Sequence, residues 1–122
     1  MMKEVSDYFK EDITSIASAY NNFIKTNDET DLYDIGPMDY VSEADSLDEV
    51  SYFCWSVGKT PHREIRFYFN EDNSLAMIDY EVYNGSQSEP IVLHDGDVYN
   101  LLEAVFMNVF FDAEVEIQEE ER

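Results

Sequence analysis

The chain has 122 residues, 44% of them hydrophobic, with 28 Asp plus Glu against 7 Lys plus Arg and a formal net charge of -21. That length holds one domain with a core of its own, and 8 Phe and 9 Tyr are far more than a disordered acidic tail carries. So negative a chain is repelled by phosphate and by anionic lipid, which argues against direct binding to nucleic acid or a membrane surface.

A lone cysteine, Cys54, excludes an internal disulfide and fits a reducing compartment. The first residues, MMKEVSDYFKEDI, lack the apolar run of a signal peptide, and no stretch approaches the roughly 18 to 20 apolar residues of a membrane span. The expectation is a cytoplasmic protein.

From Val5 to about Lys25 the apolar residues Val5, Phe9, Ile13, Ile16, Ala17, Tyr20, Phe23 and Ile24 recur at intervals of three and four, the stripe of a core-facing helix. Glu4, Asp7, Glu11 and Asp12 fall on the other side in its first turns and Lys25 near its end, as the helix dipole favours.

Residues 26–58 hold nine acids, Asp28, Glu29, Asp31, Asp34, Asp39, Glu43, Asp45, Asp48 and Glu49, and no Lys or Arg. Leu32, Tyr33 and Ile35 suggest a short edge strand ahead of the turn at Gly36-Pro37, with the acids in loop-like parts. Val50 to Val57 alternates as a central strand, apolar on both faces. The turn Gly58 to His62 follows, and Lys59, Arg63 and Arg66 form the only cluster of cations, expected to pair with neighbouring acids.

Arg63 to Tyr83 is the clearest stretch. Ile65, Phe67 and Phe69 share one side of a strand and Glu64, Arg66 and Tyr68 the other; Ala76, Ile78, Tyr80 and Val82 repeat the oily side. Asn70 to Ser74 is a turn between them, so the pair reads as an antiparallel hairpin. The wet side of the second strand offers Asp79 and Glu81 with no cation near them in sequence.

A second turn at Asn84-Gly85 precedes a short strand, Ile91-Val92-Leu93. Asp95 or Asp97 is placed to cap a helix striped by Val98, Leu101, Leu102, Val105, Phe106, Val109 and Phe110. After Asp112, Val115 and Ile117 alternate with Glu114 and Glu116, the pattern of a possible fifth, edge strand. The whole predicts an α+β fold: an antiparallel meander of about four strands covered by an N-terminal and a C-terminal helix, one domain over 1–118 and an acidic tip without regular structure at 119–122.

Chemistry is sparse. Cys54 lies between Phe53 and Trp55 in a strand interior, where a thiol is inert, and His62 and His94 belong to no motif, so no enzyme is expected. Asn70 to Glu81 spaces its acids as a calcium loop does, but Leu75 stands at the sixth position, where that loop needs glycine. Two histidines and one cysteine are too scattered for zinc. Neither a metal nor a cofactor is expected.

What remains is the charge, far beyond the magnitude of about 2 to 8 that keeps a small domain soluble. Carboxylates about 6.6 Å apart along a strand face, or about 5 to 6 Å apart on a helix, can imitate the phosphates of a duplex. The candidate contact residues are Asp28, Glu29, Asp31, Asp34, Asp39, Glu43, Asp45, Asp48 and Glu49, then Asp79, Glu81, Glu114 and Glu116. Tyr33, Tyr40 and Tyr83 are candidate aromatic anchors, since charge alone gives on-rate more than residence time.

In composition over its whole length, and in no motif, the chain resembles the acidic DNA-mimic inhibitors of phages and bacteria. That class occupies the DNA sites of restriction enzymes, CRISPR effectors and other nucleases, glycosylases or histone-like proteins. The resemblance implies a cationic, DNA-binding protein as partner of a monomer or dimer. The alternative is an immunity protein or antitoxin that neutralises one cationic toxin.

Overall fold

The computed structural model describes residues 4–44, 49–70, 72, 74–83 and 90–110, with the backbone alone at 42–44 and 49–51. Its elements run α1 (Val5–Thr26), α2 (Thr30–Ile35), β1 (Met38–Ala44), β2 (Glu49–Lys59), β3 (His62–Phe69), β4 (Leu75–Tyr83), β5 (Ile91–Leu93), α3 (Asp97–Val105) and a π-helical turn, Phe106–Phe110. The five strands form one antiparallel sheet whose spatial order, β1-β2-β3-β4-β5, is the order of the chain. It is the α+β meander between two terminal helices that the patterning predicts.

Helix α1 starts where the Asp7 carboxylate accepts the Glu4 backbone N–H at 3.1 Å and ends at Asn27, whose left-handed backbone lets its N–H reach the Phe23 carbonyl at 2.7 Å. Its stripe and that of α3 cover one face of the sheet. Trp55, Ile65, Phe67, Ile78, Tyr80 and Val82 come up from that face and are fully buried under Ile16, Leu102, Val105, Phe106 and Phe110. The wider π turn keeps Phe106, Val109 and Phe110 all on the core side. Phe106 meets the rings of Phe53, Phe67 and Phe69, while Phe110 meets Trp55 and Tyr33.

Four expectations change. Leu32, Tyr33 and Ile35 lie in helix α2, not an edge strand: Asp28 accepts the Thr30 N–H and opens a turn, and Leu32 and Ile35, three apart, then share the face turned to the core. A fifth strand exists, but it is β1, from a stretch read as loop; the strand pattern around Val115 and Ile117 lies outside the described residues. Helix α3 begins at Gly96, with a positive φ of 98° and no side-chain cap, so neither Asp95 nor Asp97 caps it. Asp12, placed on the wet side of α1, is buried.

Candidate functional site

The acids fall into two groups with opposite fates. One is consumed inside the fold. Asp12, 7% exposed, accepts Arg63 Nε at 2.6 Å and Nη2 at 3.1 Å, and the Tyr80 hydroxyl at 2.6 Å. The Arg63 guanidinium also donates to the Pro61 carbonyl and rests on the Tyr8 ring. This bidentate pair ties α1 to the sheet and satisfies a charge that would otherwise cost several kcal/mol to bury. The bond to Asp12 raises the pKa of Arg63 further.

On the sheet face away from the helices, the register sets Arg66 directly between Cys54 and Asp79. Arg66 Nε donates to Asp79 Oδ1 at 2.6 Å, Nη2 lies 3.4 Å from Glu81 Oε1 and Nη1 3.5 Å from Glu64 Oε1. Tyr68 adds a hydroxyl to Asp79 at 3.3 Å. Glu64 also accepts from the Tyr83 hydroxyl at 2.7 Å and the Cys54 thiol at 3.1 Å, with His62 Nε2 at 3.2 Å. Burial alone would raise the Glu64 pKa; the donors Tyr83, Cys54 and His62 and the charge of Arg66 outweigh it and hold the carboxyl below its usual range. Burial, then the bond to Glu64, pushes Cys54 up to about 12, which makes it a donor and no nucleophile.

Asp79 and Glu81 therefore do have a cation, reached across the sheet instead of along the chain. Asp79 is 5% exposed and cannot meet a partner, so its expected place in the contact surface is corrected; Glu81 is half-buried at the rim of the same network.

The second group stays wet. Asp28, Glu29, Asp31, Asp34 and Asp39 are all exposed, and among the described residues no Lys or Arg pairs with any of them. Their seat is firm. Leu32 is wholly buried, Tyr33 packs edge-on against Phe110 with 5.0 Å between centroids, and the Trp55 indole N–H donates to the Gly36 carbonyl at 3.1 Å. Neutral donors orient two of the carboxylates: Thr30 gives its N–H at 3.0 Å and its hydroxyl at 2.6 Å to Asp28 Oδ1, and Asn22 Nδ2 reaches Asp31 Oδ2 at 3.2 Å. The Thr30 bonds lower the Asp28 pKa. These contacts fix position and leave the negative charge standing. Asp31 and Asp34, three apart on α2, are neighbours on one helical face.

Glu43 and Glu49 lie in the paired backbone of β1 and β2, while Asp45, Asp48, Glu114 and Glu116 lie outside the described residues. Tyr33, Tyr40 and Tyr83 are 41%, 41% and 43% exposed. Each is pinned on one side, by Phe110, Phe53 and Glu64 respectively, as rigid contact anchors are. Sequence reasoning expected Arg66 to pair with neighbouring acids, as it does with Glu64 on its own strand, but missed Asp79, Glu81, Tyr83 and Cys54, which join the network through strand register.

Among the described residues no group of three or more His, Cys, Asp or Glu is placed to hold a metal ion, and no helix is long and apolar enough to cross a membrane. No protein-family model, curated protein or solved structure matches the chain.

Proposed function

We propose that the protein is a DNA-mimic inhibitor: it occupies the basic, nucleic-acid-binding surface of another protein and blocks access to DNA. One observation carries the reading. Both arginines of the described structure are bound inside it, and among the described residues no Lys or Arg pairs with the exposed carboxylates of α2 and its flanks, Asp28 to Asp39. A duplex attracts basic proteins through fixed charge and counterion release, and a firmly seated acidic surface offers the same terms without a nucleic acid. Asp28, Glu29, Asp31, Asp34 and Asp39 are the contact residues, with Tyr33 and Tyr40 as anchors; no catalytic step is assigned. The half-exposed, pinned tyrosines also suit a second reading, an immunity protein or antitoxin against one cationic toxin.

Capture from the native host on the immobilised chain, followed by mass spectrometry, separates the two. A DNA-binding protein that competing duplex releases, and that the fourfold variant Asp28→Asn, Asp31→Asn, Asp34→Asn, Asp39→Asn no longer holds, is the expected result. A single toxin indifferent to duplex supports the second reading. Capture undiminished in the fourfold variant overturns the assignment of these residues.

A further inference from the structure

Strand β1 is an edge, and its seven residues contrast with the three of β5 at the opposite edge. Its hydrogen-bonding phase can be read from the chain. The Ser56 N–H donates to the Pro37 carbonyl at 3.0 Å, in line with the register Met38↔Trp55, Asp39↔Cys54, Tyr40↔Phe53. Bonded and non-bonded pairs alternate along an antiparallel ladder. Asp39 and Val41 therefore direct their backbone groups to β2, while Tyr40 and Ser42 direct N–H and C=O outward, away from the sheet. Among the described residues nothing pairs with those outward groups.

Charge selects what can fill the edge. Asp39 flanks it from the open face of the sheet, and α2, which carries Asp31 and Asp34, runs into β1 through Gly36 and Pro37 alone. A second copy laid on this edge would bring another chain of formal charge -21 against the same acids, and acidic side chains on an edge oppose such self-pairing. An extended segment rich in Lys or Arg meets the reverse situation: its backbone completes the ladder and the cationic side chains it turns to the open face meet the Asp39 carboxylate.

We infer that the outer edge of β1 receives an extended cationic segment of the partner by strand addition. The inference rests on the reading of the chain as a binder of basic proteins, and adds how the partner docks and by which atoms. Backbone bonds to Tyr40 and Ser42 supply the residence time that exposed charge pairs lack.

The probe is a ten-residue peptide alternating Lys and Val, compared with the same peptide carrying N-methyl groups on every backbone amide, both against the full chain at about 150 mM salt, where the screening length is about 8 Å. The expected result is binding with amide shifts centred on residues 38–44, slowed exchange at the Tyr40 and Ser42 amides, and an affinity about tenfold or more lower for the N-methylated peptide, the worth of one or two net hydrogen bonds. Ser42→Pro removes an outward N–H and no ladder bond to β2, so it lowers affinity by a similar factor while melting as the wild type does. Equal binding of the two peptides, with shifts spread over all the acids, overturns strand addition and leaves the acidic-surface reading standing. Tyr40 and Ser42 amides already protected in the free full chain overturn it as well; sedimentation then tells a second copy from the chain's own occupancy of the edge. No binding of either peptide overturns both readings.

Discussion

At the scale of single residues, Cys54 and Glu64 show how one bond suppresses one kind of chemistry and supports another. With its thiol pushed up to about 12 from 9.0, native Cys54 carries about a thousandfold less thiolate at pH 8 than in the unfolded chain. Alkylation by iodoacetamide is therefore expected to be slower by that factor in buffer than in denaturant; equal rates would mean that Cys54 is neither buried nor bonded to Glu64 in solution. Glu64 lends itself to a pH test. Its folded pKa lies below the ordinary 4.5, so the stability it contributes is present above about 4.5 and lost as pH falls through the folded value. Glu64→Gln is expected to cost about 1 to 2 kcal/mol near pH 7, and its deficit in denaturant midpoint should close as pH is lowered from 6 to about 3. A deficit constant over that range would assign the cost to packing instead of charge. Neither contact is visible in the linear chain: Cys54 and Glu64 are ten apart and meet through the β2·β3 register.

Elements whose signal is their own periodicity were legible in the sequence, and those whose signal is their surroundings were not. The stripes of α1 and α3 and the alternation of β2, β3 and β4 each extend over enough residues to define a buried side. Helix α2 is six residues long and reads equally as strand; what decides it is the Asp28 turn and the pocket that takes Leu32. Strand β1, MDYVSEA, has little alternation of its own and becomes a strand by pairing with β2. Asp79 passed for a free carboxylate because no cation stands near it along the chain, whereas the β3·β4 register sets Arg66 opposite it. At the joint between α2 and β1 the backbone of Gly36 lies close against that of Ser56. Gly36 is extended, with φ of 164°, so no special conformation is required, but a Cβ there would collide with the Ser56 carbonyl. Gly36→Ala is expected to destabilise by about 1 to 3 kcal/mol, as overpacking does, and to shift amide resonances in both β1 and β2. An unchanged denaturation midpoint would show that the joint yields freely.

For the molecule as a whole, the two arginine pairs and the exposed acids respond differently to salt. Arg63–Asp12 and Arg66–Asp79 are largely buried and little screened, whereas the repulsion among surface carboxylates falls as the screening length shortens. Melting temperature is therefore expected to rise between about 10 mM and 300 mM salt, over which the Debye length shrinks several-fold; a flat or falling curve would show that the surface charges are compensated. The exposed set Asp28 to Asp39 was legible from composition alone. Which acids would be withdrawn from it was not, because that depends on where Arg63 and Arg66 come to rest.

Strand order has a kinetic consequence. Because every strand of the meander pairs with the one before it in the chain, each ladder closes only a short loop, and no strand waits for a distant part of the chain. Loop-closure entropy stays small at every step, and a fold assembled from local pairings forms fast for a sheet protein. A polyanion gains from that route: successive hairpins can zip with only a few like charges brought together at a time, before α3 closes over the aromatic side.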